Sequence, residues 1–560
     1  MRLFALLLVF GLATPSFAQE ARVKYWVFMA DKIDVAAKAA PALEVTERAK
    51  VRRSRRASSV RGTPDVPVSK RYLRALEDLG AEPVLESRWL NAVSAWMTTE
   101  QARRVARLAF VSGVRPVGVL LAPEETAGVD AGSGPAFGPA PFGAAQRPGA
   151  PAQRLDYGLS FTQLDLIRAI PGLENGLSGA GVMLGIIDTG AGDLTQTSIA
   201  PIVNSGRLVG QRDFTGFPDD GSRHALAVLS IAAGFDPGEL IGPAYGAQII
   251  LARTEYAPTE TNQEEDSFVA GIEWMESQGV DVVNISLGYS EFDPGQHSYT
   301  YSDMDGDTAI TTRAADFAAS LGVTVVNSAG NAGNASWFFV TSPADGDSVI
   351  TVGAVDRNSA VASFSGHGPT FDGRIKPNVS AMGVSVRFAT RTAYSSGNGT
   401  SFSSPMVAAI AVQMLEVNPN LGPMDILQIL QETTHESAEP NFQADNSRGH
   451  GVINAQAALA AAAVFIGTED QVTPGLLSAV AYPNPSNGSA TLRLDLESTS
   501  PAEIAVYDLI GRRVGLSTFG SLAAGTHLLE VPLPAGASGW YGYRITTGTA
   551  STFGSISVIR

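Results

Sequence analysis

The chain reads as a doubly wound α/β body with a mainly parallel sheet, preceded by a small α/β unit and followed by an all-β sandwich. Three observations predict this. Between about 156 and 466, short apolar runs rich in Val and Ile alternate with helix-length segments, as buried parallel strands and their crossovers do. Residues 20–120 carry a basic, mixed pattern of their own, set off by a stretch rich in Gly, Ala and Pro. From about 479 the periodicity shortens to strand length between turn residues.

In chain order, Met1-Arg2 precedes the apolar run Leu3 to Leu12, and Ser16-Phe17-Ala18 ends it with small residues, so 1–18 reads as a signal peptide cleaved after Ala18. The run is too short for a membrane span. Residues 19–120 then form the small α/β unit, with a strand at Val23 to Phe28, a charged helix near 42–56 and a helix from 68 to 79. The cluster Arg52-Arg53-Ser54-Arg55-Arg56 invites a processing site; Glu44, Glu47 and Lys50 extend the same helical pattern, so a solvated helix face is expected instead. Residues 121–155 read as an accessible linker.

Charge narrows the function. The net charge is -16, and residues 20–120 carry 19 Arg/Lys against 11 Asp/Glu, so a basic segment precedes an acidic body. Such a body repels phosphates, which argues against nucleic acid as a partner. The chain has no cysteine, which removes disulfides and thiolate metal sites despite the exported context.

The expected strands of the body are Val182 to Ile187, Ala247 to Leu251, Val280 to Ile285, Val323 to Val326 and Val349 to Val352, with helices at 266–278 and 308–321. In such a fold, ligands lie at the carboxyl ends of the strands. Asp188-Thr189-Gly190 follows the first strand, where a buried carboxylate can orient an imidazole; by itself it also fits a simple turn. An aspartic protease needs a second such triplet, and there is none. His224 opens an all-apolar helix. Asn331 follows Val325 to Gly330, where its amide can donate to an oxyanion. Ser401 lies in Gly397-Asn398-Gly399-Thr400-Ser401, at a glycine turn opening the apolar run Met406 to Leu415. Alone it reads as a helix cap. Pro405 is expected in the first helical turn, where no hydrogen bond is lost.

Together these motifs, in the order Asp188, His224, Asn331, Ser401, resemble the subtilisin-like serine proteases, whose chain order of triad residues is a known instance of convergence. The resemblance spans about 156–460. It implies a Ser401 nucleophile, His224 as general base and acid, Asp188 as its orienting carboxylate, and an oxyanion hole from Asn331 and the Ser401 N–H. It further implies that Ser286-Leu287-Gly288 pairs with an extended polypeptide substrate and that Ala329-Gly330 flanks the primary specificity pocket. Asp372 to Pro377 also looks like a family segment. Two departures stand out: Ala225 and Leu226 follow the histidine where Gly-Thr is usual, and Ala409 stands where glycine is frequent. The chemistry implied requires no cofactor. Members often hold surface loops with calcium, for which Asp303, Asp305 and Asp307 around Gly306 are the candidates.

Residues 19–120 resemble the family's inhibitory propeptide, notably through Ser87 to Val93, which implies a unit that docks on the catalytic domain and lays its tail across the active site. Charge complementarity suits that docking. After a second linker at 467–478, residues 479–560 should form a β-sandwich with strands at 490–496, 503–508, 527–533, 540–546 and 553–559. Tyr482-Pro483-Asn484-Pro485, Tyr507 to Gly511 and Arg560 resemble type IX secretion sorting domains, implying the type IX secretion machinery as partner. A carbohydrate-binding module with Trp540, Tyr541 and Tyr543 as platform is the alternative. The expectation is a secreted or cell-surface endopeptidase made as a zymogen; the alternative is an adhesin on a catalytically impaired subtilase scaffold.

Overall fold

The structure is a computed structural model that describes residues 22–32, 45–56, 65–118, 155–439, 441–465, 476–482, 486, 490–496, 498–507, 513–533, 539–548 and 550–558. The expected signal peptide, nearly all of the 121–155 linker and most of the 467–478 linker lie outside the described residues.

The N-terminal unit is an antiparallel sheet in the order β2-β3-β1-β4, from β1 (Arg22–Met29), β2 (Glu82–Ser87), β3 (Ala92–Thr98) and β4 (Val111–Gly118). Its helices are α1 (Glu47–Arg56), α2 (Lys70–Glu77) and α3 (Thr99–Val105). The strand period of two divides β1 between two cores. Val27 and Met29 pack with Val68, Tyr72 and Leu76 of the unit itself. Trp26 and Phe28, on the opposite face, join a core made by the catalytic body.

That body is a seven-stranded, all-parallel sheet. Its strands are β5 (Met183–Asp188), β6 (Leu208–Asp213), β7 (Gln248–Arg253), β8 (Val282–Ile285), β9 (Thr324–Ser328), β10 (Val349–Val355) and β11 (Val379–Met382), ordered β11-β10-β9-β8-β5-β7-β6. The five expected strands appear in register, Val283 standing opposite both Gly185 and Val325. Strand β6 was not expected: as an edge strand it is mostly exposed and carries no apolar run. Helices α4 (His224–Ala233), α7 (Thr400–Val417) and α8 (Ala455–Val464) share one core, whereas α5 (Asn262–Gln278) and α6 (Ile310–Ser320) cover the other face. No helix among the described residues is long and apolar enough to cross a membrane.

The N-terminal unit sits on α5 and α6. Trp89 stacks on Phe317 with ring centroids 5.1 Å apart, and the Ser87 hydroxyl donates to the Glu273 carboxylate at 2.6 Å. Lys24 pairs with Asp266, both side chains being buried. Helix α1 corrects the expectation of a solvated arginine cluster. Arg48, Arg52 and Arg56 recur every four residues and so share one face, which is turned inward. Arg52 is 2% exposed; it pairs with Glu276 and donates to the Val280 carbonyl at 2.7 Å. Arg48 and Arg56 grip opposite oxygens of Asp281, while Arg53 links Glu276 to Asp65. Burial lowers the pKa of Arg52 and Arg56, and the two carboxylates oppose that loss. Only Glu47, Lys50, Val51, Ser54 and Arg55 form the exposed face.

The C-terminal unit is a sandwich as expected. A three-stranded sheet (Leu476–Tyr482, Thr491–Leu496, Gly525–Glu530) faces a four-stranded one (Arg513–Leu522, Ser500–Tyr507, Gly539–Thr547, Ala550–Val558). Leu492, Leu494, Ile504, Val506, Ile545 and Ile556 fill its core. Two of the sandwich strands were not expected: Leu476–Tyr482, whose first residues fall in the expected 467–478 linker, and Arg513–Leu522, which is largely exposed and polar. Tyr543 is buried in this core and Tyr541 packs against it, which withdraws both from an exposed carbohydrate platform.

Truncating one partner of a buried ion pair strands the other charge. Arg52→Ala should therefore destabilise the precursor by about 3–5 kcal/mol in urea titration, while Arg55→Ala, at an exposed position, should stay within about 0.5 kcal/mol of wild type. Equal effects of the two would refute the clasp.

Candidate active site

The site assembles at the carboxyl edge of the sheet. Strand β5 ends in Asp188, which is fully buried among apolar neighbours and needs polar partners. Its Oδ1 accepts the Thr189 N–H at 2.7 Å, and its two oxygens face His224 Nδ1 at 2.8 and 3.0 Å. A nitrogen facing two carboxylate oxygens carries the proton, which leaves Nε2 as the basic atom. His224 begins α4, and every later residue of that helix is buried, so the imidazole is held from behind. Ala225 and Leu226, the departures from the usual Gly-Thr, are 3% and 0% exposed and serve as core. Burial by itself would depress the His224 pKa; the charge and hydrogen bond of Asp188 outweigh it, and the net shift is upward.

Gly399 caps α7 at φ 156°, a conformation that L side chains rarely adopt, and places Thr400 and Ser401 in the first turn. Ser401 is 9% exposed, and its Oγ donates to the Ser286 carbonyl at 3.3 Å. The His224 ring stacks on that of Phe402, the residue after Ser401, at a centroid distance of 6.1 Å. Pro405 stands inside the helix rather than in its first turn, which corrects the sequence expectation. A proline there removes the N–H that would bond the carbonyl four residues back, that of Ser401. Ser286 replaces it: its hydroxyl donates to the Ser401 carbonyl at 3.0 Å. Asn284 on β8 donates to Ser286 Oγ at 3.0 Å and accepts from Ser404 Oγ at 2.8 Å, so strand and helix are tied twice. Neither Asn284 nor the Ser286 hydroxyl was singled out for this role. The available signal was a fully buried amide in an otherwise apolar strand.

Asn331 is exposed beyond the end of β9. Its Oδ1 accepts from Thr400 N at 2.9 Å and is 3.0 Å from Thr400 Oγ1. The N–H donor identifies the bonded atom as oxygen, so the Nδ2 donor is turned away from Thr400. Ser286, Leu287 and Gly288 continue β8, and Ala329 and Gly330 continue β9, giving two adjacent backbone walls. The acidic loop does not form a metal site. Asp303 accepts from the Thr300 N–H and hydroxyl, Asp305 accepts from Asp307 N and from Thr308, and among the described residues no three acidic or His side chains are grouped to hold a metal. The Asp303 and Asp305 carboxylates hold local turns through short-range N–H and hydroxyl groups.

A parallel sheet that brings a carboxylate, an imidazole and a hydroxyl to its carboxyl edge has the make-up of a serine peptidase. The chain belongs to the Subtilase family, which residues 179–461 match, and it is a serine endopeptidase. Residues 24–127 match the Peptidase S8 propeptide domain of Bacteroidota, and residues 480–559 match the Secretion system C-terminal sorting domain. Subtilisin DY from Bacillus licheniformis is 32% identical over 314 residues, covering 55% of this chain and 99% of its own. Subtilisin E from Bacillus subtilis (strain 168) is 30% identical, covering 55% of this chain and 72% of its own. In structure, the Epidermin Leader Peptide Processing Serine Protease (EpiP) from Staphylococcus aureus aligns with a TM-score of 0.52 at 14% identity, over 80% of this chain and 100% of that one, a likeness of fold.

Two outcomes are expected. A raised imidazole pKa keeps His224 protonated to higher pH, so the acidic limb of kcat/KM should lie above the ordinary value of about 6.5, and Asp188→Asn should move it down; a limb unmoved by that change contradicts the pairing. Ser286→Ala leaves the Ser401 carbonyl unpaired and should cost about 1–3 kcal/mol of stability in thermal or urea unfolding.

Proposed function

We propose that the protein is an exported subtilisin-like endopeptidase in which Ser401, His224 and Asp188 act as a triad through an acyl-enzyme. The Asp188–His224 hydrogen bond carries this reading, because it fixes the tautomer that leaves Nε2 basic. In the reaction, the Ser401 hydroxyl leaves the Ser286 carbonyl and gives its proton to Nε2 as Oγ attacks the scissile carbonyl carbon. Loose nucleophile–base contacts are usual before substrate arrives. Asn331 Nδ2 and the Ser401 N–H hold the oxyanion. Nε2 then protonates the departing amine, and water, deprotonated by the same imidazole, releases the acyl group. Substrate lies extended along Ser286 to Gly288, with Ala329 and Gly330 beside its primary side chain.

The domain reading that accompanies this assigns 1–18 to a signal peptide, 19–120 to the inhibitory propeptide, 156–466 to the catalytic domain and 479–560 to the sorting domain, with linkers at 121–155 and 467–478. The propeptide's grip on α5 and α6 supports a zymogen that cuts itself free. The sorting domain supports type IX export to the surface or medium.

Ser401→Ala should accumulate as precursor retaining the 20–120 segment and fail to label with a fluorophosphonate. Asn331→Ala should lose about 10²–10³ in kcat with little change in KM, since its donor serves the transition state. Peptide hydrolysis by Ser401→Ala at the wild-type rate, in a preparation free of other proteases, would overturn the assignment and leave the adhesin as the better account.

A further inference from the structure

We propose that Thr341 is the floor of the primary specificity pocket and restricts the residue on the amino side of the scissile bond to alanine- or serine-sized side chains, with serine favoured. This rests on the endopeptidase reading above. The two backbone walls of the pocket end in glycine, exposed Gly288 and half-buried Gly330, the latter at φ 93°. Glycine walls ordinarily leave a slot for a large side chain. Here the slot is occupied. A Cβ added at Gly288 would overlap the Thr341 hydroxyl, and one added at Gly330 would lie 3.2 Å from it, so this one side chain lies against both walls.

Thr341 cannot easily withdraw. Its neighbour Ser342 pairs with Tyr289, directly after Gly288, through N–H···O bonds of 2.8 and 3.2 Å. The Thr341 carbonyl accepts the Ala344 N–H at 2.8 Å, and Val340 and Ala344 pack with Ala329 beneath it. Its backbone is therefore hydrogen-bonded to the Gly288 wall through its neighbour, while Val340 and Ala344 pack against the Ala329 side of the other wall.

The chemistry of the floor follows from its hydroxyl. Thr341 is 6% exposed, and its Oγ1 has no hydrogen-bond partner. A buried hydroxyl without a partner is unfavourable, and a substrate group that pairs with it removes the penalty. A serine hydroxyl is short enough to stop at this floor and able to bond with it; an alanine methyl fits without bonding. Leucine, phenylalanine and tyrosine must displace the threonine or stay outside.

The test compares peptide substrates differing only at that residue, using the full chain after self-maturation. Wild type should prefer Ser over Ala, and Ala over Leu and Phe by about tenfold or more in kcat/KM, the size of discrimination that a few methylenes provide. Thr341→Gly should raise kcat/KM for Leu and Phe about tenfold or more and abolish the Ser-over-Ala preference. Thr341→Val, which keeps the volume and removes the hydroxyl, should abolish only the latter. Fluorophosphonate labelling of Ser401 checks that each variant is folded and live. Wild type cutting best after Leu or Phe, or an unchanged ranking in a labelled Thr341→Gly, overturns this proposal alone. A wild-type Ser401 that neither labels nor hydrolyses any of the peptides sinks the endopeptidase reading, and this inference with it.

Discussion

Pro405 removes one N–H from the second turn of α7, and the carbonyl so released belongs to Ser401. The hydroxyl that reaches it, Ser286 Oγ, comes from the end of a strand in the middle of the sheet, and the Ser401 hydroxyl returns a bond to the Ser286 carbonyl. A helix defect is thus converted into a fixed distance between helix and strand. The Ser286–Gly288 segment, the Ala329–Gly330 segment and the turn bearing Thr400 and Ser401 are all referred to that junction. Asn331 joins it through Thr400, so the proposed oxyanion donor is set by the same turn as the proposed nucleophile.

The second constraint is desolvation at the propeptide interface. Helix α5 presents Asp266, Glu273 and Glu276 to the N-terminal unit, and all three are buried beneath it. Each is met by a group from that unit: Lys24, then Ser87 with Arg88, then Arg52 with Arg53. Buried carboxylates are tolerable only while such partners stay in place. Once the propeptide leaves, water must take over that role, so the interface ties charge satisfaction on α5 to the zymogen state. Its apolar component, Trp26, Phe28 and Trp89, supplies the non-directional attraction, and the ion pairs set register.

Much of the architecture was legible because it rests on periodicity. Five of the six buried strands and the apolar helices at 224 and 400 announce themselves by apolar runs, and the motif residues lie just beyond them, whereas the short buried strand β11 was not expected. Strands β6 and Arg513–Leu522 were not legible, since exposed edge strands place few apolar residues and take their conformation from a neighbour's hydrogen bonds. Helix α1 shows the opposite failure: the four-residue spacing of Arg48, Arg52 and Arg56 was present, but charge alone does not say whether a face meets water or carboxylates.

By itself, the sequence determined which residue types stand at strand ends and helix starts, and with them the fold class, the Asp188–His224–Ser401 order and the family. Those features depend on local pattern, which a chain carries in one dimension. Tertiary structure alone decided that Arg52 is buried, that Asp303 and Asp305 accept the hydrogen bonds of local turns, and that Ser286 replaces the bond Pro405 removes. It also decided that Thr341, far in sequence from Gly288, lies between the glycine walls. Each of these depends on which groups meet across the sheet, because a buried charge or hydroxyl is settled by the nearest complementary partner, and that partner comes from a distant part of the chain.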